Sequence, residues 1–161
     1  PSLRPAAMEW ERALVSVWDK LVPCENPSCK AKWYICYTAE QTHCPFCGAK
    51  ATQVLTLRLK KQLRGKRGQW VKARDIVVYD KMPLFWWHFR TDVFPDEKAS
   101  DRLPLAYIAH AQGRWHFVND RLTGLRTPDG TLVPKKQAMT LGRGLCFRSM
   151  EEEGGVLIEV L

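Results

Sequence analysis

Apolar residues recur at three- and four-residue steps near the start of the chain. Trp10, Leu14, Val17, Trp18 and Leu21 fall on one side of a helix predicted from Ala6 to about Leu21. Pro5 suits the first turn of that helix and Pro23 stops it. Past residue 51 the period changes to two. Val54–Lys60 alternates, with Leu55, Leu57 and Leu59 on one face. Short β-prone runs follow at Ile76–Tyr79, Leu84–Trp87, Leu105–Ile108, Arg114–Val118, Leu145–Phe147 and Val156–Val160. Gln112-Gly113, Pro128-Asp129-Gly130 and Gly154-Gly155 supply turn chemistry between them. The pattern predicts a mainly β protein whose residues 51–161 form a β-sandwich.

Residues 22–50 follow neither period, and cysteines punctuate them. Cys24-x4-Cys29 and Cys44-x2-Cys47 are two short pairs, the second set in Cys44-Pro45-Phe46-Cys47-Gly48, where proline and glycine turn the backbone. Four thiolates suit a tetrahedral Zn²⁺ and leave no position for water or substrate, so the spacing predicts a structural zinc ribbon. Disulfides at this density belong to secreted chains. Residues 6–22 carry Glu9, Glu11, Arg12, Asp19 and Lys20, which fit neither a signal core nor a membrane span. A reducing cytoplasm is therefore expected. Cys36 and His43 read as ordinary ribbon residues and Cys146 as a small buried hydrophobe. Trp33–Tyr37 is β-prone and predicts the ribbon's central hairpin strand. The expected organisation is a helix in 1–21, the ribbon in 22–50 and the sandwich in 51–161.

Composition adds bounds. Seven tryptophans within 45% hydrophobic residues suffice for a packed core. The chain has 161 residues and opens on Pro1 without a methionine, as expected of a piece of a longer protein. Its 25 basic and 17 acidic residues leave +8, which permits an anionic partner. Much of that charge lies between Arg58 and Arg74, a stretch without an acid whose tip is marked by Gly65 and Gly68. Arg64, Lys66 and Arg67 there, with Arg126 further on, are candidate anion-binding residues. They would meet phosphate on nucleic acid or on a phosphoprotein. The bland alternative is a charged loop that keeps a sheet edge from pairing.

Catalytic motifs are weak. The chain lacks a P-loop, a G-x-S-x-G and an H-E-x-x-H, and His88, His110 and His116 all fall in predicted strands beside aromatics. A non-enzyme is expected. The helix's apolar stripe needs a cover, supplied by the ribbon or sandwich or by another protein. Trp10 and Trp18 are the candidate partner-binding residues on it.

Two resemblances sharpen the expectation. Gly113–Asp120, then Leu125–Thr131, then Met139–Leu145 resemble the central strand, the N-G-T turn and the late turn of forkhead-associated (FHA) domains. That family is a β-sandwich that reads phosphothreonine through an arginine, a serine and an asparagine. Here Asp129-Gly130 stands for the family's Asn-Gly, and Leu103-Pro104-Leu105 stands where its S-x-x-H would be. The resemblance thus implies the fold rather than the phosphopeptide pocket. Taken with Pro23–Cys29, Cys44–Gly48, Phe94–Lys98 and Pro104–Tyr107, the chain resembles the C-terminal region of bacterial serine/threonine kinases of tellurite-resistance stress systems. That resemblance implies a kinase domain upstream, a phosphatase in the same system and a partner with a von Willebrand factor A domain. Such domains often hold a divalent ion that accepts a carboxylate, a role open to Asp92, Asp96, Glu97 or Asp101. The expected function is a non-catalytic interaction module of a stress-signalling kinase. The rival is a nucleic-acid-binding zinc-ribbon protein using the basic hairpin 58–74.

Overall fold

The computed structural model describes residues 4–38, 40, 43–66, 68–90, 102–150 and 154–161. Helix α1 spans Ala7–Trp18 and is followed by β1 (Leu21–Pro23) and β2 (Trp33–Ile35). The longest strands, β3 (Val54–Gln62) and β4 (Trp70–Tyr79), come next, then the two-residue β5 (Pro83–Leu84) and the single-turn α2 (Trp86–Phe89). The chain closes with β6 (Ala106–Ala111), β7 (Arg114–Asn119), β8 (Gln137–Leu141), β9 (Cys146–Arg148) and β10 (Val156–Val160). No helix among the described residues is long and apolar enough to cross a membrane.

Two four-stranded antiparallel sheets, ordered β4-β3-β10-β9 and β5-β6-β7-β8, enclose one core. Alternation decides which side chains fill it. Leu57, Leu59, Ile76, Val78, Ile158 and Val160 point inward from the first sheet and meet Leu84, Ile108, Phe117 and Leu141 of the second. Phe117 sits edge-on between Phe89 and Phe147, at ring-centroid distances of 6.0 and 5.1 Å. The turn between β6 and β7 has both central residues at positive φ, Gln112 at 52° and Gly113 at 71°. That is the geometry a two-residue hairpin needs to match strand twist.

Several predicted elements are revised. The helix stops at Trp18, and Leu21 already belongs to β1. Leu84–Trp87 is not a strand. After Leu84 the backbone N–H of Phe85 donates to His88 Nδ1 at 2.8 Å, which tips the chain into α2 and places His88 in a helix. A run of adjacent apolar residues cannot separate strand from helix by period. Residues 139–141, expected within a turn, form β8, and the turn begins only at Gly142. Cys146 is half-buried, at the start of edge strand β9.

The ribbon's strand pairing also differs. β2 does not pair within the stretch between the cysteine pairs. It pairs antiparallel with β1, Leu21 opposite Ile35 and Pro23 opposite Trp33, so the first knuckle lies inside that hairpin. The second knuckle is framed separately by a bridge between His43 and Lys50.

Candidate metal centre and docking surface

The two knuckles bring four sulfurs together. Cys24 N–H donates to Lys32 O at 2.7 Å and Cys29 N–H to Asn26 O at 3.0 Å, curling the first loop. In the second, Gly48 N–H reaches Cys44 O and Cys44 N–H reaches Ala49 O, both at 2.8 Å. Gly48 holds φ at 72°, a left-handed turn that glycine adopts without strain. The Sγ atoms of Cys24, Cys29, Cys44 and Cys47 all lie within 4.8 Å of one another. Cys24 and Cys47 are 3.5 Å apart and Cys29 and Cys44 3.9 Å apart, too far for an S–S bond. A tetrahedron with metal–sulfur bonds of about 2.3 Å has edges of about 3.8 Å. The four thiols therefore fit a tetrahedral metal ion, with every position taken by sulfur.

The thiols do not share protons evenly. Cys24 is pushed up to about 12, by desolvation first, against the Asn26 backbone hydrogen bond and reinforced by the other three thiols. Cys47 is drawn down to about 7, first by the Ala49 backbone hydrogen bond, then, over an opposing desolvation, by hydrogen bonds with its three neighbours. Cys36 stays outside the cluster. It is buried, its Sγ donates to Thr38 O at 3.0 Å, and desolvation raises it. His43 is exposed and stays in the bridge to Lys50.

The ribbon is not a separate bead. Val22, Cys29, Tyr34, Cys36 and Cys44 bury themselves against Ala51 and Val77, with Tyr79 packed at the edge. Glu25, inside the first knuckle, accepts from Thr52 N–H at 2.7 Å, Thr52 Oγ1 at 3.0 Å and Gln53 N–H at 3.0 Å. The residue next to a metal ligand is thereby tied to the residues just before β3.

The second anchor is Asp19, the C-cap of α1. Its buried carboxylate lies 2.9 Å from His88 Nε2 and 3.1 Å from Arg74 Nη1. His88 Nδ1 accepts the Phe85 N–H, so the ring proton sits on Nε2 and is donated to Asp19. Both ring nitrogens are thus occupied within the fold. The Asp19 carbonyl also accepts from Val77 N–H at 3.1 Å. Sequence reading missed this cluster because its members lie far apart in the chain and carry no motif.

With the helix held at its C-terminal end, the buried side of α1 is that of Val15 and Asp19. The predicted stripe is left uncovered: Trp10 is 59% exposed, Leu14 64% and Trp18 55%. Trp18 still touches Phe85 and Trp87, at 6.2 and 5.9 Å between ring centroids. Beside it opens a cavity of about 360 Å³. Trp18 and Leu21 form one wall, Trp33 of β2 another, and Tyr79, Met82, Pro83, Phe85 and His88 the rest.

The basic hairpin forms, its ends closed by Leu63 N–H on Gln69 O at 2.8 Å. Its charge is partly answered by acids outside the 58–74 stretch. Arg58 pairs with Asp75 at 3.0 Å, Lys72 with Asp75 at 2.7 Å, Lys60 with Glu159 at 2.9 Å and Arg74 with Asp19. Burial raises the Asp75 carboxyl, and hydrogen bonds from Arg58 and Lys72 outweigh that and hold it below its ordinary value. Lys61, Arg64 and Lys66 are exposed at the tip. Arg126 lies in the 125–131 turn, donating to Gly130 O at 2.8 Å. Arg67 and the four carboxylates Asp92, Asp96, Glu97 and Asp101 lie outside the described residues.

Asn119 is a further residue that sequence reading passed over. It is fully buried at the end of β7, and its Nδ2 donates to the carbonyls of Leu122, Val133 and Pro134 while its Oδ1 accepts from Leu122 N–H.

Comparison with protein families, with curated proteins and with solved structures finds no match.

Proposed function

We propose that this chain is a non-catalytic protein-interaction module, its ribbon held by a structural Zn²⁺ on Cys24, Cys29, Cys44 and Cys47. The carrying observation is the uncovered aromatic face of α1, with Trp10, Leu14 and Trp18 in solvent beside an open aromatic cavity. Exposed tryptophans clustered on a rigid element are what protein interfaces use as anchors. The sequence resemblance suggests the context: a cytoplasmic stress-signalling kinase of a tellurite-resistance system, an FHA-like sandwich and a von Willebrand factor A-domain partner. The Asp19–His88 pair, with both ring nitrogens bonded inside the fold, serves packing rather than proton transfer.

The nucleic-acid reading has less support, because four cations of the hairpin are engaged by Asp75, Glu159 and Asp19. The test is calorimetric titration of the chain with a von Willebrand factor A-domain protein from such a system. Trp10→Ala combined with Leu14→Ala should weaken binding about 30-fold, the loss of one hot spot. Equal affinity of the variant, or retention of duplex DNA that falls steeply with salt, would reject the docking reading.

A further inference from the structure

We infer that Cys24 and Cys47 form a peroxide-sensitive thiol pair, whose disulfide takes over from the metal as the clamp between the two knuckles. The inference rests on the structural-zinc reading and names how that site is regulated. The four sulfurs are not equivalent. Cys47 is exposed and Cys24 half-buried, whereas Cys29 is 3% exposed and Cys44 2%. The Cys24 and Cys47 Sγ atoms are 3.5 Å apart and those of Cys29 and Cys44 3.9 Å. A small oxidant arriving from solvent therefore meets Cys47 first, with Cys24 beside it. The other two cysteines offer no competing partner. Cys36 is buried outside the cluster with its Sγ on Thr38 O, and Cys146 lies on β9 with its Sγ toward Gly144 O.

The oxidant proposed is a peroxide. The Cys47 thiolate attacks one peroxide oxygen; an S–O bond forms, the O–O bond breaks, and the departing hydroxide takes a proton to become water. The Cys24 thiolate then attacks the Cys47 sulfur; the S–S bond forms, the S–O bond breaks, and the second hydroxide leaves as water. Two sulfurs give up two electrons, the peroxide takes both, and two protons come from solvent. Bonding requires the sulfurs to close to about 2.05 Å, a movement of about 1.5 Å. The second knuckle can supply it. Pro45, Phe46, Cys47 and Gly48 are all exposed, so no packing holds the tip in place. The rest of the ribbon keeps its seat: Val22, Cys29, Tyr34 and Cys44 stay packed with Ala51 and Val77, and Glu25 stays bonded to Thr52 and Gln53. The new bond ties positions 23 residues apart, one in each knuckle, as the metal did. Only Cys29 and Cys44 are then left as ligands, half the set a structural site needs.

The test titrates the full chain, reduced and loaded with Zn²⁺, with hydrogen peroxide in the presence of a zinc-sensitive dye. Metal release should run in step with the loss of two thiols per chain. Alkylation in denaturant followed by peptide mass spectrometry should find Cys24 joined to Cys47 within one chain, with Cys29, Cys36 and Cys44 still alkylated. Early in the titration Cys47 should react at least about 10-fold faster than Cys44. The oxidised chain should retain the near-ultraviolet dichroism of Trp33 and Tyr34, which the reduced chain loses on chelation, and dithiothreitol with Zn²⁺ should restore the starting state. A main disulfide through Cys29, Cys36 or Cys44, a bond between chains, Zn²⁺ retained at full disulfide, or dichroism as low as in the chelated chain would overturn the inference. Zn²⁺ bound with all four thiols unchanged in excess peroxide would overturn it and leave the zinc reading standing. A Cys24–Cys47 disulfide in a chain that never takes up Zn²⁺ would uphold the thiol pair and remove the zinc reading instead.

Discussion

Asp19→Ala is the substitution that most directly probes how the helix, ribbon and sandwich are held together. The Asp19 and His88 side chains are each 3% exposed and Arg74 is 29% exposed. Removing the carboxylate strands the His88 Nε2–H without an acceptor, at a desolvation cost of about 1–3 kcal/mol. It also breaks the ion pair, and breaking a buried pair from one side costs about 3–5 kcal/mol. Arg74 can turn toward water and keeps its bond to the Trp87 carbonyl, which pulls the total to the lower end. A loss of about 3 kcal/mol is expected, and with a urea slope of about 2 kcal/mol/M the midpoint falls by about 1.5 M. Asp19→Asn keeps an acceptor for His88 but points an amide at a guanidinium, so a smaller loss of about 1–2 kcal/mol is expected. Urea unfolding at neutral pH, followed by tryptophan fluorescence, measures both. A midpoint shift of less than about 0.25 M for Asp19→Ala would refute the assignment of this cluster as the anchor.

The remaining predictions are shorter. Asn119→Asp replaces a donor facing three carbonyls with an acceptor, so a loss of about 3 kcal/mol or more is expected by denaturant unfolding; Asn119→Ala should cost less than Asp. Cys47→Ser, or chelation, should empty the zinc site by elemental analysis and abolish the near-ultraviolet dichroism of Trp33 and Tyr34 while most strand signal stays, since metal binding supplies about 10 kcal/mol or more in small ribbons. Unchanged zinc content in that variant would reject the ligand set. Asp75 has a folded pKa below its ordinary value, so its contribution is full above the unfolded carboxylate pKa of about 3.9 and fades as pH falls through the folded value. Asp75→Asn should therefore cost up to about 1 kcal/mol at pH 7, and the gap to the parent chain should close below about pH 4; a gap independent of pH would contradict the ion-pair account.

What was legible in the sequence is what is local. Cysteine spacing pointed to the four sulfurs now found within 4.8 Å of one another, because a knuckle is set by a handful of consecutive residues. Alternation in β3 was plain, because one face of the strand meets the core. Turn chemistry at Gln112-Gly113 was plain because positive φ restricts residue choice. The failures are positions where distant partners decide. Leu84–Trp87 looks like a strand until His88 accepts the Phe85 N–H. The α1 stripe looks like a packing face until Asp19 fixes the helix by its end and turns Val15 inward. In the acid-free basic stretch, the partners of Arg58 lie on neighbouring strands, Asp75 on β4 and Glu159 on β10, and no pattern within the stretch itself could show them.

The cavity and the cysteine cluster are connected through the chain between them. Trp33 stands four residues after Cys29, in a strand paired with β1, and Leu21 stands three residues before Cys24 in β1 itself. The ribbon core that seats this hairpin on Val77 includes Cys29 and Cys44, two of the four ligand positions. A hairpin of three pairs has too little buried surface to hold its place unaided. Whatever organises the sulfurs therefore also sets Trp33 against Tyr79 and closes one side of the cavity. Glu25 adds a second restraint on the same loop through Thr52 and Gln53, independent of any metal. Glu25→Ala at intact metal content should thus leave the sulfur cluster in place while loosening its seat on the sheet. A displaced Trp33 indole N–H signal in that variant, with metal content unchanged, would locate the coupling in the ribbon–sheet contact; an unmoved signal would assign it to the sulfur cluster alone.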